Sequence, residues 1–257
     1  MAGYLLFAGL LGISSACGTN SFFDCERPVA GFRCQEPSDE ERGKKALRDQ
    51  DYALAITFLE RAVDGLLAQD HLSADERYRL HPLLASAYAA KAGVDLMSLA
   101  QVQTGGQQSL FAALSSVLPH PQKTGESAYL QSLADIKSAL AQLEGIPSQL
   151  LVDKASELFG KSVALQKTLY LTASSVMAIN RFAISSTTGS LDRVQLENMS
   201  DKDAAEILAG LEAASREAHG DQPEIEEKIK ETLTQINGEP GANQKEKLAA
   251  YIAKNAT

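Results

Sequence analysis

Tryptophan is absent from the 257-residue chain, and it holds three cysteines, four histidines and eight prolines. The histidines, His71, His81, His120 and His219, are scattered and have no neighbouring cysteine, so they lack the close pairing of a zinc site. No run of about 18 or more consecutive apolar residues occurs, which excludes an ordinary membrane-spanning helix. Basic blocks are missing too: 24 Lys+Arg against 33 Asp+Glu give 24 − 33 = −9, and such a chain carries no electrostatic footprint for a nucleic-acid backbone. There is no G-x-S-x-G elbow, no HExxH, no G-x-x-x-x-G-K-[ST] and no G-x-G-x-x-G, so an enzyme is disfavoured and no cofactor or metal is expected. Asp201 and Asp203 form a carboxylate pair that a helix N-terminus explains.

What remains is 44% hydrophobic and 22% charged, enough for a substantial core in one or two domains. Tyr4 to Ile13 is a short apolar run followed by Ser14-Ser15-Ala16 and then Cys17. An apolar stretch ending in small residues has the layout of an export signal, although no basic residue precedes it. Ser15-Ala16-Cys17 resembles the lipobox of bacterial lipoproteins, with Ser14 where Leu is usual. The resemblance implies cleavage before Cys17 and lipidation of that residue, and Gly18, where Asp would signal inner-membrane retention, favours the outer membrane with the protein facing the periplasm. Residues 1–16 then form a signal peptide, 17–37 a lipidated tether, and 38–257 the folded body. With Cys17 assigned to lipid, Cys25 and Cys34 remain as an even pair that an oxidising periplasm would allow to close a disulfide loop. The alternative is a buried N-terminal helix with an incidental Cys17.

From Ser38 the signals are helical. Ser38-Asp39-Glu40-Glu41 is a capping box opening a helix to about Asp49, and Tyr52 to Ala68 repeats apolar residues at three- and four-residue spacing. Gly43, Ala55, Leu59 and Ala62 stand where tetratricopeptide repeats place small residues and a large apolar knob, so Glu41 to Asp64 resembles one such repeat. Arg42 and Ala46 depart from it. A second box, Ser73-Ala74-Asp75-Glu76, opens a segment that Pro82 bends or restarts. Leu83 to Leu96 presents an Ala/Ser face for close helix approach, and Gly93 is placed to end one helix before Val94 to Val102 begins another. Over Glu41 to Gln103 the chain resembles periplasmic lipoproteins built from repeat-like helices, including the T component associated with TRAP-type transporters. That resemblance implies a scaffold whose helices enclose a cleft or pore and dock another envelope component.

Further helices are read at Gln107 to Val117, Glu126 to Glu144 and Ser148 to about Ile184, with Pro119-His120-Pro121 as a rigid turn. The Ser148 to about Ile184 segment is apolar on most sides, so it is expected to be the central helix of an all-α body, broken or bent if Gly160 weakens it. Its hydroxyl residues either bond their own backbone or line a cavity beside Tyr170, Ser174, Met177 and Asn180, with Asn180 or Arg181 offering a polar group. Asp192 to Glu197 reads as a loop and short helix, Ser200-Asp201-Lys202-Asp203 caps a helix to about Ala218, Pro223 starts one that Gly238 ends, and Asn243 to Lys254 is a last amphipathic segment. Glu224 to Glu231 alternates charge with Ile225 and Ile229 and reads as a solvated helix face.

Two functional expectations follow. The first is a lipid-anchored helical adaptor whose concave surface, around Tyr52, Tyr78 and Tyr88, binds an envelope protein. The second is a carrier of a small apolar ligand in a cavity beside the central helix. Cys17→Ala is predicted to lose both incorporation of radiolabelled palmitate and membrane association. An unlabelled wild-type protein that fractionates with membranes as the variant does would remove the lipid anchor.

Overall fold

Helix caps divide the chain. The computed structural model describes residues 36–104, 109–152, 157–185, 191–218, 220 and 222–255. The expected signal peptide, Cys17 and the Cys25–Cys34 pair lie outside the described residues. Among those described, fourteen helices account for the regular structure, the one β-type contact being an isolated bridge between Ile184 and Leu191. No helix among them is long and apolar enough to cross a membrane.

The first helix, α1 (Asp39–Arg48), opens on the expected box: Glu41 N–H donates to Ser38 Oγ at 3.3 Å and Ser38 N–H to Glu41 Oε2 at 2.8 Å. It ends in a left-handed turn at Gln50 (φ 61°), where Asp51 N–H reaches back to Ala46 O, and α2 (Tyr52–Leu67) starts at once. The two helices meet at Gly43, where a Cβ would stand 2.7 Å from Leu59 Cγ. Ala55 and Leu59 are fully buried in this seam. Glu40 links the pair to the following turn through a bidentate bond to Arg79 at 2.8 and 2.5 Å and an ion pair to Lys44 at 2.6 Å. Such exposed ion pairs contribute about 0–1 kcal/mol each, against roughly 1.5–3 kcal/mol for burying a Leu, so the seam at Leu59 dominates.

The second box opens α3 (Ala74–Tyr78), and Pro82 restarts the chain as α4 (His81–Lys91). Gly93 (φ +78°) closes α4 in a Schellman turn, with Val94 N–H on Ala89 O at 2.9 Å. Helix α4 divides two apolar clusters: Leu80, Leu84 and Ala87 face α1 and α2, while Ala85, Ala89 and Ala92 face the main core. Then come α5 (Leu96–Thr104), α6 (Leu110–Val117), α7 (Pro121–Thr124) and α8 (Glu126–Glu144). The expected rigid turn at Pro119-His120-Pro121 thus leads into a short helix, with Pro121 in its first turn, where a missing N–H costs nothing. Across the α4–α8 contact Lys91 pairs with the buried Asp135 at 3.0 Å, and Gln131 Nε2 donates to the same oxygen at 3.1 Å.

The segment expected as the central helix from Ser148 to about Ile184, broken or bent if Gly160 weakens it, is described as α9 (Ser148–Val152) and α10 (Glu157–Ala183). Gly160 lies inside α10, which runs unbroken through it. A Cβ there would sit 2.4 Å from Leu151 O, so Gly160 marks where α9 presses on α10. The rest is α11 (Arg193–Glu197), α12 (Asp201–Ala218), α13 (Pro223–Gly238) and α14 (Gln244–Asn255). Helix α10 is the core of the body, packed on α12, α8, α9 and α6. Thr168 and Thr172 are fully buried on it and donate to Ala164 O at 2.9 Å and Thr168 O at 2.7 Å, so they satisfy themselves within the helix. Leu248, Tyr251 and Ile252 of α14 join the main cluster on the expected face.

The two clusters meet through α4, with Tyr88 packed against both, so a single unfolding transition is expected. Leu169, fully buried on α10, is predicted to cost about 2–5 kcal/mol when changed to Ala. The half-buried Ser174 should cost much less when changed to Ala. Urea unfolding checks this: two transitions, with Leu169→Ala moving only one, would mean that the α1–α4 part folds independently.

Candidate functional site

The expected cavity residues part company on α10. Tyr170, Met177 and Asn180 are 1%, 0% and 0% exposed, so they fill the interior rather than line a void. The Tyr129 hydroxyl donates to Met177 O at 2.7 Å, and Ser115 Oγ donates to Asn180 Oδ1 at 3.1 Å. Burial pushes the phenols up, Tyr170 to about 12 and Tyr129 further, so both stay neutral hydrogen-bonding groups in any physiological range. Ser174, from the same expected set, points the other way and opens onto a cleft.

That cleft has α10 as its floor and α8 and α12 as its walls. Leu171, Ser174, Ala178 and Phe182 follow one another at steps of three, four and four residues, which puts them on one face of α10. All four are half-buried. Over eleven residues the strip is about 16 Å long, at about 1.5 Å per residue. One wall is Leu133 and Lys137 of α8; the other is Asp203, Glu206, Ile207 and Gly210 of α12. Gly210 sets how near the second wall comes, since a Cβ there would meet Ser175 Oγ at 2.4 Å. The space is about 140 Å³, well below the roughly 300–1,000 Å³ of sites that enclose a small organic ligand. A larger hollow of about 460 Å³ lies over α13, but Pro223, Glu226, Glu227, Lys230, Glu231 and Thr234 all belong to that one helix, so nothing closes it from above.

The rim of the α10 cleft carries both signs. Lys137 and Arg181 stand on the α8–α10 side, and neither has a carboxylate within ion-pair distance among the described residues; Arg181 instead lies over the Phe182 ring at 5.3 Å. Asp203 and Glu206 stand on the α12 side. Ser200 bonds hold the Asp203 carboxyl below the usual range, helped by the field of Arg181. Glu206 is held only by Lys202 at 3.8 Å, an exposed pair of little energy.

The three tyrosines of the expected groove have other tasks. Tyr88 is half-buried between the clusters and donates to Glu60 Oε1 at 2.5 Å, and burial with that carboxylate raises it to about 12. Tyr78 packs on the main core with its ring 5.0 Å from that of His81. Tyr52 is half-buried at the start of α2. None of them lines the α10 cleft or the α13 hollow. The residues missed at the sequence level were Leu171, Lys137 and Glu206, and Asp203 was read there only as a carboxylate of a helix N-terminus. Only the spacing from Leu171 to Phe182 could have signalled the floor; the walls come from helices distant in the chain. Comparison of the chain with protein-family models, with curated proteins and with solved structures found no match.

Two histidines set an acid limit for this scaffold. Burial holds His81 below its ordinary 6.5, outweighing a bond to the Tyr78 backbone, and burial together with Lys123 does the same for His120. The unfolded chain therefore takes up protons near pH 6.5 that the native state refuses, so stability is full above that pH and falls as pH drops below it. Glu40, held at about 2 by Arg79 first and Lys44 next, acts in a separate window, with its stabilisation present above pH 4.5 and lost toward 2. Urea midpoints between pH 7.5 and 5 should fall for the wild type and fall less for His81→Gln; parallel slopes would remove His81 from this account.

Proposed function

We propose that the protein is a lipid-anchored helical adaptor of the bacterial cell envelope, facing the periplasm, that docks another envelope protein through the open cleft on α10. The observation that carries this reading is the form of that cleft: about 16 Å long at about 1.5 Å per residue, apolar along its floor and charged with both signs along its rims. A long shallow surface of this kind suits a polypeptide segment. The lipobox-like Ser15-Ala16-Cys17 supports the location, and the repeat-like α1–α2 pair, with Gly43 against Leu59, supports kinship with helical scaffold lipoproteins of transport systems. A carrier of a small apolar ligand has less behind it, because Tyr170, Met177 and Asn180 are packed shut and the space of about 140 Å³ is open.

The test is purification of the full-length protein from chemically crosslinked cells, followed by mass spectrometry. An envelope protein recovered in near-stoichiometric amount, and lost in Cys17→Ala, is the expected result. Recovery of the protein alone with a bound apolar small molecule would overturn the adaptor reading and favour the carrier.

A further inference from the structure

We propose that the groove between α8, α10 and α12 receives a single amphipathic helix, laid with its apolar face on Leu171, Ser174, Ala178 and Phe182. Its acidic edge would lie along Lys137 and Arg181 and its basic edge along Asp203 and Glu206. The proposal rests on the adaptor reading and names the chemistry of the partner segment. Three features of the groove carry it. The floor is a helical stripe about three turns long, and Ser174 and Ala178 in its middle are small, so a second helix backbone can come close. Leu171 and Phe182 at the two ends then bracket apolar side chains spaced three or four residues apart on the incoming helix, the spacing such grooves read.

The rims decide between occupants. Lys137 and Arg181 have no carboxylate within ion-pair distance among the described residues, and of the carboxylates opposite Asp203 is bonded to the Ser200 cap, in the field of Arg181, while Glu206 makes one long contact with Lys202. A small anionic amphiphile would satisfy the two cations and leave its other flank against Asp203 and Glu206. A helix with one acidic and one basic edge satisfies both walls. Turning that helix end for end would exchange its edges, so the charges also fix its direction.

Three synthetic peptides of about 14 residues, enough to span the roughly 16 Å strip as a helix, test this against the full chain by fluorescence anisotropy. All share one apolar face; their edges are Glu on one side and Lys on the other, Lys on both, or Glu on both. The mixed-edge peptide should bind at least about tenfold more tightly than either like-charged one. Lys137→Glu combined with Arg181→Glu, which makes both walls acidic, should transfer the preference to the Lys-edged peptide. Ser174→Phe should weaken the mixed-edge peptide by about tenfold or more while leaving the urea midpoint in place. Equal affinity for all three, best binding of the Glu-edged peptide, no binding of the mixed-edge one, or indifference to Ser174→Phe each overturns the proposal. If the peptides fail while crosslinked cells still yield an envelope partner, the groove assignment is wrong and the adaptor reading survives; if the crosslinks fail, the adaptor reading goes on its own evidence.

Discussion

Burial of α10 on nearly all its sides is the constraint on which the rest of the body depends. In a helix of 27 residues surrounded by others each unmatched buried polar group costs about 1–3 kcal/mol, and α10 leaves only Gln166 Oε1 and Asn180 Nδ2 without a partner among its described side chains. Its threonines bond within the helix, and the Asn180 carbonyl oxygen accepts from Ser115 of α6. Two of its neighbours come nearest where side chains are minimal. Gly160 admits the Leu151 carbonyl of α9, and Gly210 admits Ser175 to α12. The groove is a consequence of this arrangement. Helices α8 and α12 each take a flank of α10, and between them the strip from Leu171 to Phe182 stays half-exposed.

The same logic, with small residues in place of a long apolar surface, explains how the N-terminal helices are attached. Helix α4 must face two clusters at once, so it turns Ala85, Ala89 and its C-cap Ala92 to the main core and Leu84 and Ala87 to α1 and α2. Tyr88 joins both clusters and anchors to Glu60 on α2. Lys91 reaches Asp135 on α8 beyond it. Nothing in this seam resembles a linker: its alanines are buried, and its polar bonds run between helices on opposite sides. The α1–α2 pair is therefore held by packing to α4, which in turn packs on the core that α10 organises.

Where local chemistry decides, the sequence was legible. Ser38, Ser73 and Ser200 cap the helices they were expected to cap, Pro223 and Gly238 bound α13, and Glu126 to Glu144 is one helix from end to end. These features depend on neighbours three or four residues away, which the order of residues contains. Gly160 shows the other case. A glycine within a helical pattern reads as a weak point, yet its meaning here lies in a carbonyl nine positions back that folds against it. The hydroxyl-rich face of α10 posed the same difficulty. Thr168 and Thr172 turn inward, Ser174 turns out, and the difference is set by where α8 and α12 lie, which no periodicity within α10 can state.

The acidic balance of the chain, −9, does not extend evenly to the groove. Two cations and two carboxylates face one another across the same apolar floor. Attraction across such a rim is modest in water, at about 0.2–1 kcal/mol for an exposed pair, so the charges supply little of any binding energy. Their effect is on choice. An apolar strip alone accepts any amphipathic helix in either direction, whereas a like charge set opposite either wall weakens the wrong partner and the wrong orientation alike. Affinity then comes from the floor and selectivity from the rims, and each can be altered without disturbing the other, because Lys137 and Arg181 are exposed while the core side of α10 lies beneath them.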